Sequence, residues 1–380
     1  MKDSEASAPT LPEDAVWKEN LLAGKVEPLA FAEFALSRVS RTFALNIRVL
    51  PAPLRHQVLY AYLYCRMADT LEDDPHLPAA EKISLLKIFA SLFTSAENGD
   101  AEALVKAIAE FTEKLPTDWA RSSQWETLLL MHASIVLNPM LDFPKPVRQV
   151  IARCVGEMCN GMADFTGKHA QTADGHNLIE TLEDLDSYCY YVAGTVGVLL
   201  CELFIRHSGK IGGEREKNLR ALCVSFGLGL QLTNILKDLH DDKDRDVSWL
   251  PGELLAAEHM TFADFLKPEK RAATKRIYGI LFSKAKKHLE DALEYSCLIP
   301  RWDRRLRLFC LWPLFMAAET LALLAESTEA LTQGVRLKIS RRKVESIVRR
   351  TQLFSWSNRW IHSEFHKPMR RLEHALQTLS

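Results

Sequence analysis

The chain has 380 residues, 47% hydrophobic and 26% charged, which places it among folded proteins with room for one large domain or two smaller ones. With 16 glycines and 16 prolines it lacks the supply of tight turns that an all-β fold needs, and a net charge of −1 argues against general nucleic-acid binding. The eight cysteines (Cys65, Cys154, Cys159, Cys189, Cys201, Cys223, Cys297 and Cys310) include no C-x-x-C pair and mostly sit in apolar runs, the pattern of reduced, buried thiols.

Residues 1–28, opening MKDSEASAPTLPEDA, read as a mobile leader, without the apolar stretch behind a basic cluster that marks a signal peptide. From there apolar residues recur every three and four positions, which predicts helices over Ala30–Ile47, Pro53–Leu71, Ala79–Phe93, Ala101–Leu115, Trp119–Leu137 and Pro146–Phe165. The same period continues over Thr181–His207, Arg215–His240, Lys270–Cys297, Asp303–Glu326 and Arg341–Gln377. No run alternates as a strand and no Gly/Ser-rich linker divides the chain. The expected fold class is all-α, a single helical bundle over 29–380 that ends in a basic helix at 341–377. Gly167–Asn177 and Asp241–Gly252 are expected to be loops, the second lying at a cavity mouth. Leu308–Ala325 is nearly long enough to span a bilayer, but Pro313 and Glu319 within it point to a buried core helix. From Gly334 to Ser380 eleven Lys and Arg face three Glu, a surplus of eight positive charges suited to phosphates or an anionic membrane.

The sequence DTLEDD puts Asp69, Glu72 and Asp73 at i, i+3 and i+4, on one face at the C-terminal end of an apolar helix. Like charges there repel one another and face the negative end of the helix dipole. A second apolar helix, FGLGLQLTNILKDLHDD, ends the same way with Asp238 and Asp242. Either acidic end alone is most simply a solvated surface. Two together, each behind a long apolar face, point to a magnesium site, because Mg²⁺ binds through few carboxylates plus substrate phosphates. Arg66, Lys237 and Arg41, the last beside Ser40, would complete a diphosphate site as charge-assisted donors. Between the acidic motifs, YCYYVAGTVG combines Tyr188, Tyr190 and Tyr191 with Ala193, Gly194 and Gly197, which allows close helix packing or an apolar tunnel. GMADFTGKH is not a phosphate loop, since its glycines are spaced too far apart and His169 stands where Ser or Thr would hold magnesium.

In order along the chain, SRTFA, YLYCRMADTLEDD, GMADF, YCYYVAGTVG, QLTNILKD with Asp242, and FCLWP make the sequence resemble the squalene and phytoene synthases from about Ala30 to beyond Ile339. The resemblance implies an all-α isoprenoid synthase bundle around a central apolar cavity, with Asp69, Glu72, Asp73, Asp238 and Asp242 as Mg²⁺ ligands. It implies diphosphate contacts from Ser40, Arg41, Tyr62, Arg66 and Arg245, and a catalytic part for Tyr188, Phe309 and Arg66. For NADPH it implies Asn234, Lys237, Lys338 and Arg341, although Ser340 stands where the family has an Arg, and Arg245 comes early in its loop. The reaction implied joins two farnesyl diphosphates head to head through presqualene diphosphate and then reduces the product with NADPH to squalene. The sister activities form dehydrosqualene or phytoene, or stop at presqualene diphosphate, without reduction. A single-diphosphate terpene cyclase and a non-catalytic helical scaffold are the remaining alternatives. The expected setting is cytoplasmic and monomeric, with peripheral membrane contact, no transmembrane anchor and no nucleic acid.

Overall fold

A computed structural model describes residues 12–122, 124–169, 179–244, 248–265, 267–327 and 335–377, with only the backbone described at a few positions, Arg41 and 240–244 among them. Every regular element among these residues is helical, as the apolar period predicts.

The chain begins with α1 (Pro12–Leu22), α2 (Pro28–Val39) and α3 (Arg41–Arg48). The expectation of a leader is corrected over α1. Trp17 stacks on Phe34 at 4.7 Å and Arg38 Nε donates to Asp14 Oδ1 at 2.7 Å, which docks this helix on α2. The single run expected over Ala30–Ile47 is two helices, because Ser40 adopts extended backbone and its hydroxyl accepts from the Phe43 N–H at 3.2 Å. A serine N-cap of this kind satisfies a donor that the first turn leaves open, and so starts a new helix.

Next come α4 (Leu54–Asp73), α5 (Ala79–Asn98), α6 (Ala101–Glu113), α7 (Trp125–Met131), α8 (Ala133–Leu137) and α9 (Lys145–His169). These pack with α2 into a first apolar core. The helix expected over Trp119–Leu137 is instead a 3₁₀ turn at Thr117–Arg121 followed by two short helices that meet at His132. Helix α9 continues to His169, past the expected start of a loop at Gly167; 170–177 lie outside the described residues.

The second half holds α10 (Leu182–Cys189), a π-helical turn at Tyr190–Gly194, α11 (Thr195–His207), α12 (Gly213–Asp244) and α13 (Gly252–Ala257). It closes with α14 (Arg271–Leu298), α15 (Arg304–Glu326), α16 (Arg341–Phe354) and α17 (Asn358–Gln377). Helix α12 runs on through Asp241 to Asp244, so the start of the expected mouth loop is helical. The basic C-terminal helix expected at 341–377 is a pair, broken where Ser357 Oγ accepts from the Trp360 N–H at 3.3 Å and begins α17. Residues of α10, α12, α14, α15 and α17 make a second apolar core, and Val192, Val224 and Phe226 pack against both.

Three helical runs, Leu182–His207, Gly213–Leu239 and Arg304–Glu326, are long and apolar enough to cross a membrane. Only the last stands out in the sequence, and it packs as the expected core helix, with 78% of its apolar window buried. Its Glu319 is paired with Lys343 and Arg371, each at 2.9 Å, which answers the cost of a charge inside that helix.

Glycines fix how closely the seam packs. A Cβ at Gly227 would lie 2.2 Å from the Ala193 carbonyl oxygen, and one at Gly197 would lie 2.1 Å from that of Cys223. Backbone cannot swing aside as a side chain can, so Gly227→Ala is expected to cost about 1–3 kcal/mol in a urea melt. Gly156→Ala on α9, where a Cβ meets nothing within 4 Å, should instead leave stability unchanged or raise it by up to about 1 kcal/mol through helix propensity. Equal effects at both positions would contradict this packing.

Candidate active site

The acidic end of α4 is organised by its own helical register. Tyr62, Arg66, Asp69 and Asp73 follow one another at four, three and four residues and share a face. Arg66 spans two acids: its Nη1 is 3.8 Å from Asp69 Oδ2, and its Nη2 is 3.5 Å from Glu126 Oε1 on α7. The fourth acid of DTLEDD has a different task. Asp74 Oδ1 accepts from the N–H groups of His76 and Leu77 at 2.8 and 2.9 Å and closes the turn after the helix.

The remaining carboxylates sit at a partly open cleft in the bundle. Burial pushes the Asp69 carboxyl up to about 7 against the pull of Arg66, with Asp73 adding to the rise, yet 36% of its side chain is open. Glu72 is raised well above the usual range by burial and by Asp73 and Asp69, and Lys82 opposes them. Lys82, from α5, donates to the Glu72 carbonyl oxygen, and its own charge is disfavoured by burial. Burial first, and mutual repulsion second, thus hold Asp69 and Glu72 toward their neutral forms, which an entering cation would reverse.

Tyr188 comes to this cleft from α10. It is buried, stacked on Trp249 at 3.9 Å and edge-on to Phe165 at 5.4 Å. Burial raises its hydroxyl well above the ordinary value, and the charges of Glu72, Asp73 and Asp69 raise it further. It is thus a neutral phenol beside the acids, suited to donate a hydrogen bond and not to act as a base. The π-helical turn follows it directly; such turns recur at functional sites, where they re-aim side chains within a helix.

Ser40 caps α3 and lies near Tyr62, whose hydroxyl burial pushes up to about 12 against the effects of Ser40 and Arg66. Tyr62 in turn packs against Phe43 at 5.1 Å. The structure thus brings Ser40, Tyr62, Arg66, Asp69, Glu72 and Tyr188 into one region. On α12, Lys237 Nζ lies 3.0 Å from Asp238 Oδ2 and donates to Asn234 Oδ1 at 3.3 Å. The side chains of Arg41 and Asp242, and Arg245 entirely, lie outside the described residues. Among the described residues, no three His, Cys, Asp or Glu side chains converge to make a ready ion site.

Phe309 is buried on α15 and meets Phe204 edge-on at 5.7 Å, in the apolar interior. Lys338 and Arg341 are both exposed, and no described contact joins them to Asn234 or Lys237. Ser340 uses its hydroxyl to cap α16, accepting from the Lys343 N–H at 3.2 Å. The sequence reading did not single out Lys82, Glu126 or the stacking of Trp249, and no spacing signals them, because each arrives from a separate element. It also passed over Asn46 on α3, 1% exposed with neither amide atom bonded, in a region where a buried polar group calls for a partner.

Comparison with known proteins agrees with the fold. The family model described as squalene/phytoene synthase matches residues 36–343. The chain belongs to the squalene/phytoene synthase family. Among curated members of that family, the squalene synthase of Schizosaccharomyces pombe is 30% identical over 80% of this chain and 61% of its own length. That of Saccharomyces cerevisiae is 31% identical over 80% and 63%. The chain thus spans about three fifths of the length of these relatives. Among solved structures, a complex of TcSQS with a ligand superposes with a TM-score of 0.71 at 22% identity, covering 93% of this chain and all of that one. A dehydrosqualene synthase complex reaches 0.59 at 21% identity, covering 86% and 96%. Both share the isoprenoid synthase helical fold.

Proposed function

We propose that the chain is a magnesium-dependent squalene synthase acting on two farnesyl diphosphates. The observation that carries this reading is the crowding of Asp69, Glu72 and Asp73 beside the neutral phenol of Tyr188, within a member of this family. Hard carboxylate oxygens that repel one another fit Mg²⁺, which needs few protein ligands and completes its shell with phosphate oxygens and water. Asp69, Glu72, Asp73, Asp238 and Asp242 are the residues that would hold it. When bound, the metal neutralises the leaving diphosphate.

The chain's own groups account for the rest. Arg66, Tyr62 and Ser40 orient a diphosphate at the cleft, with Arg41 and Arg245 as further donors. Loss of diphosphate leaves an allylic cation, which the double bond of the second substrate attacks; proton loss then closes the cyclopropane of presqualene diphosphate. In this reading Tyr188 serves the first half-reaction and Phe309, in the apolar interior, the second. Apolar walls keep water from the cations. The second half-reaction needs presqualene diphosphate to lose its own diphosphate and rearrange; Asn234, Lys237, Lys338 and Arg341 would hold NADPH, which would supply the hydride that quenches the resulting cation to squalene.

A second reading ends without reduction, giving dehydrosqualene or presqualene diphosphate. The exposed, separate positions of Lys338 and Arg341 and the use of Ser340 as a helix cap favour it over a full cofactor site. Incubation with farnesyl diphosphate and Mg²⁺, with and without NADPH, decides between the two by lipid mass analysis. Squalene formed only with NADPH supports the first, and a product indifferent to NADPH supports the second. No prenyl product in either case overturns both.

Metal binding makes a separate pH prediction. Native Asp69 keeps its proton up to about pH 7, whereas an unfolded Asp releases it near pH 4. Between those values the native state binds more protons, so stability falls as pH rises, and the loss is complete above pH 7. Mg²⁺ competes for the deprotonated form. The expected result is a larger Mg²⁺-induced rise in Tm at about pH 8 than at pH 5.5, and a much reduced rise in Asp69→Asn. With chelator at pH 8, that variant should melt above the parent protein. A Mg²⁺ response independent of pH would refute the assignment of Asp69 as a ligand.

A further inference from the structure

Four of the exposed large apolar side chains gather at one end of the bundle. Trp302, 74% exposed, lies in the turn between α14 and α15, while Leu353 and Phe354, 60% and 41% exposed, end α16 and Trp356, 51% exposed, lies in the turn that follows it. The two turns are tied together. Arg304 Nη2 donates to the Gln352 carbonyl oxygen at 2.5 Å, and Arg307 Nη1 donates to that of Ser355 at 2.8 Å. The Trp356 indole N–H donates to the Leu353 carbonyl oxygen at 3.2 Å, so the ring lies along its own turn.

The setting is basic. Six arginines (Arg301, Arg304, Arg305, Arg349, Arg350 and Arg359) lie in the two segments against a single acid, Asp303. Asp303 is turned inward onto Ser208 and Lys210, and Arg350 is engaged by Glu364. Arg301, Arg305, Arg349 and Arg359 are exposed. Tryptophan and phenylalanine ringed by arginine match the boundary between lipid headgroups and acyl chains, where the rings find apolar contact and the guanidinium groups find anionic phosphates. A second copy of this chain is a poorer occupant, because a two-fold contact would set this arginine ring against itself.

We propose that this pair of turns docks the protein on an anionic lipid surface. The apolar Phe204–Phe309 pair belongs to the same end of α15, about 8 Å along the helix from Arg304. The acidic end of α12 lies toward the other end, since α12 and α14 run antiparallel with Ser225 at His288 and Asp291, and the acids of α4 lie by Tyr188, at the far end of the α10–α11 run from Phe204. The surface thus faces the membrane with the apolar end of the bundle and leaves the charged cleft in water.

The test is flotation of the full chain with phosphatidylcholine vesicles, with and without phosphatidylglycerol, which needs no catalytic activity. The parent protein is expected to float with the anionic vesicles and to be released by salt. Trp302→Ser/Trp356→Ser should weaken that binding roughly tenfold or more with an unchanged melting curve. Arg301→Glu/Arg305→Glu, tested separately, should remove the preference for phosphatidylglycerol while leaving the fold intact. Failure of the parent to float overturns the proposal, as does unchanged binding by both variants. Loss of a concentration-dependent dimer in sedimentation, without loss of vesicle binding, also overturns it in favour of self-association.

Discussion

Asp69→Ala is expected to lower turnover of farnesyl diphosphate by at least about a thousandfold while leaving the helical fold in place, and Asp238→Ala should do the same. Asp69 sits at the open cleft with 36% of its side chain accessible, so truncating it removes charge and no core volume. It also frees Arg66 Nη1 from a neighbour at 3.8 Å, leaving Glu126 as the acid beside that guanidinium. Loss of activity with an unchanged circular dichroism spectrum and melting curve is the predicted pair of results. A variant within tenfold of the parent would show that the acids of α4 do not hold the leaving diphosphate through a metal. A variant that unfolds would show that they brace the bundle instead.

The largest effect on stability is expected at Arg307. It is 2% exposed, and every partner the structure gives it is neutral: it donates to the carbonyl oxygens of Ile299, Ser355 and Cys297 at 2.8, 2.8 and 2.9 Å and to Asn358 Oδ1 at 2.7 Å. Burial lowers its affinity for a proton, and these four acceptors supply the compensation. Together they bind the end of α14 and the start of α15 to the turn between α16 and α17. Arg307→Met keeps much of the volume but leaves buried acceptors bare, each costing about 1–3 kcal/mol, so a loss of about 4 kcal/mol is expected. For a chain of this size that is a fall in Tm of roughly 5 °C. Hydrogen exchange should show α16 and α17 opening together before the rest. A melting curve unchanged within a degree would mean that these bonds are replaceable by water.

The helices were legible in the sequence because burial imposes a 3.6-residue period that survives without knowledge of neighbours. Their breaks were less so. Ser40 is a good cap residue, yet the apolar period runs across it. At Trp119–Leu137 the period likewise persists through turns that only tertiary packing reveals. The docking of α1 is not legible in its polar composition, because its attachment rests on Trp17 and Asp14, two residues whose partners lie a whole helix away.

In the site, acids and arginine at helical spacing on α4 could be read directly, since one helix supplies all of them. The encounter of Tyr188 with those acids could not, nor could the Trp249 stack, because each joins elements distant in the chain. The basic tail was legible as charge but not as geometry. Several of its cations, including Lys343, Arg350 and Arg371, are paired with acids of α15 and α17.

The π-helical turn at Tyr190–Gly194 also bears on how this chain tolerates change in length. One residue more than an α-helix needs is stored there, between Tyr188 and the close contacts of Gly197 and Gly227. Deleting a single residue from it would let a regular helix form with its flanks in nearly the same register, whereas deleting one from the first turn of α11, which stores no surplus, would turn α10 by about 100° relative to the rest of α11. Tyr188 would then leave both Trp249 and the acids, even though no residue touching the cleft had been altered. A lineage carrying the second deletion would keep its site residues in full and lose their alignment, so here the place at which chain length changes carries information that the motifs themselves do not.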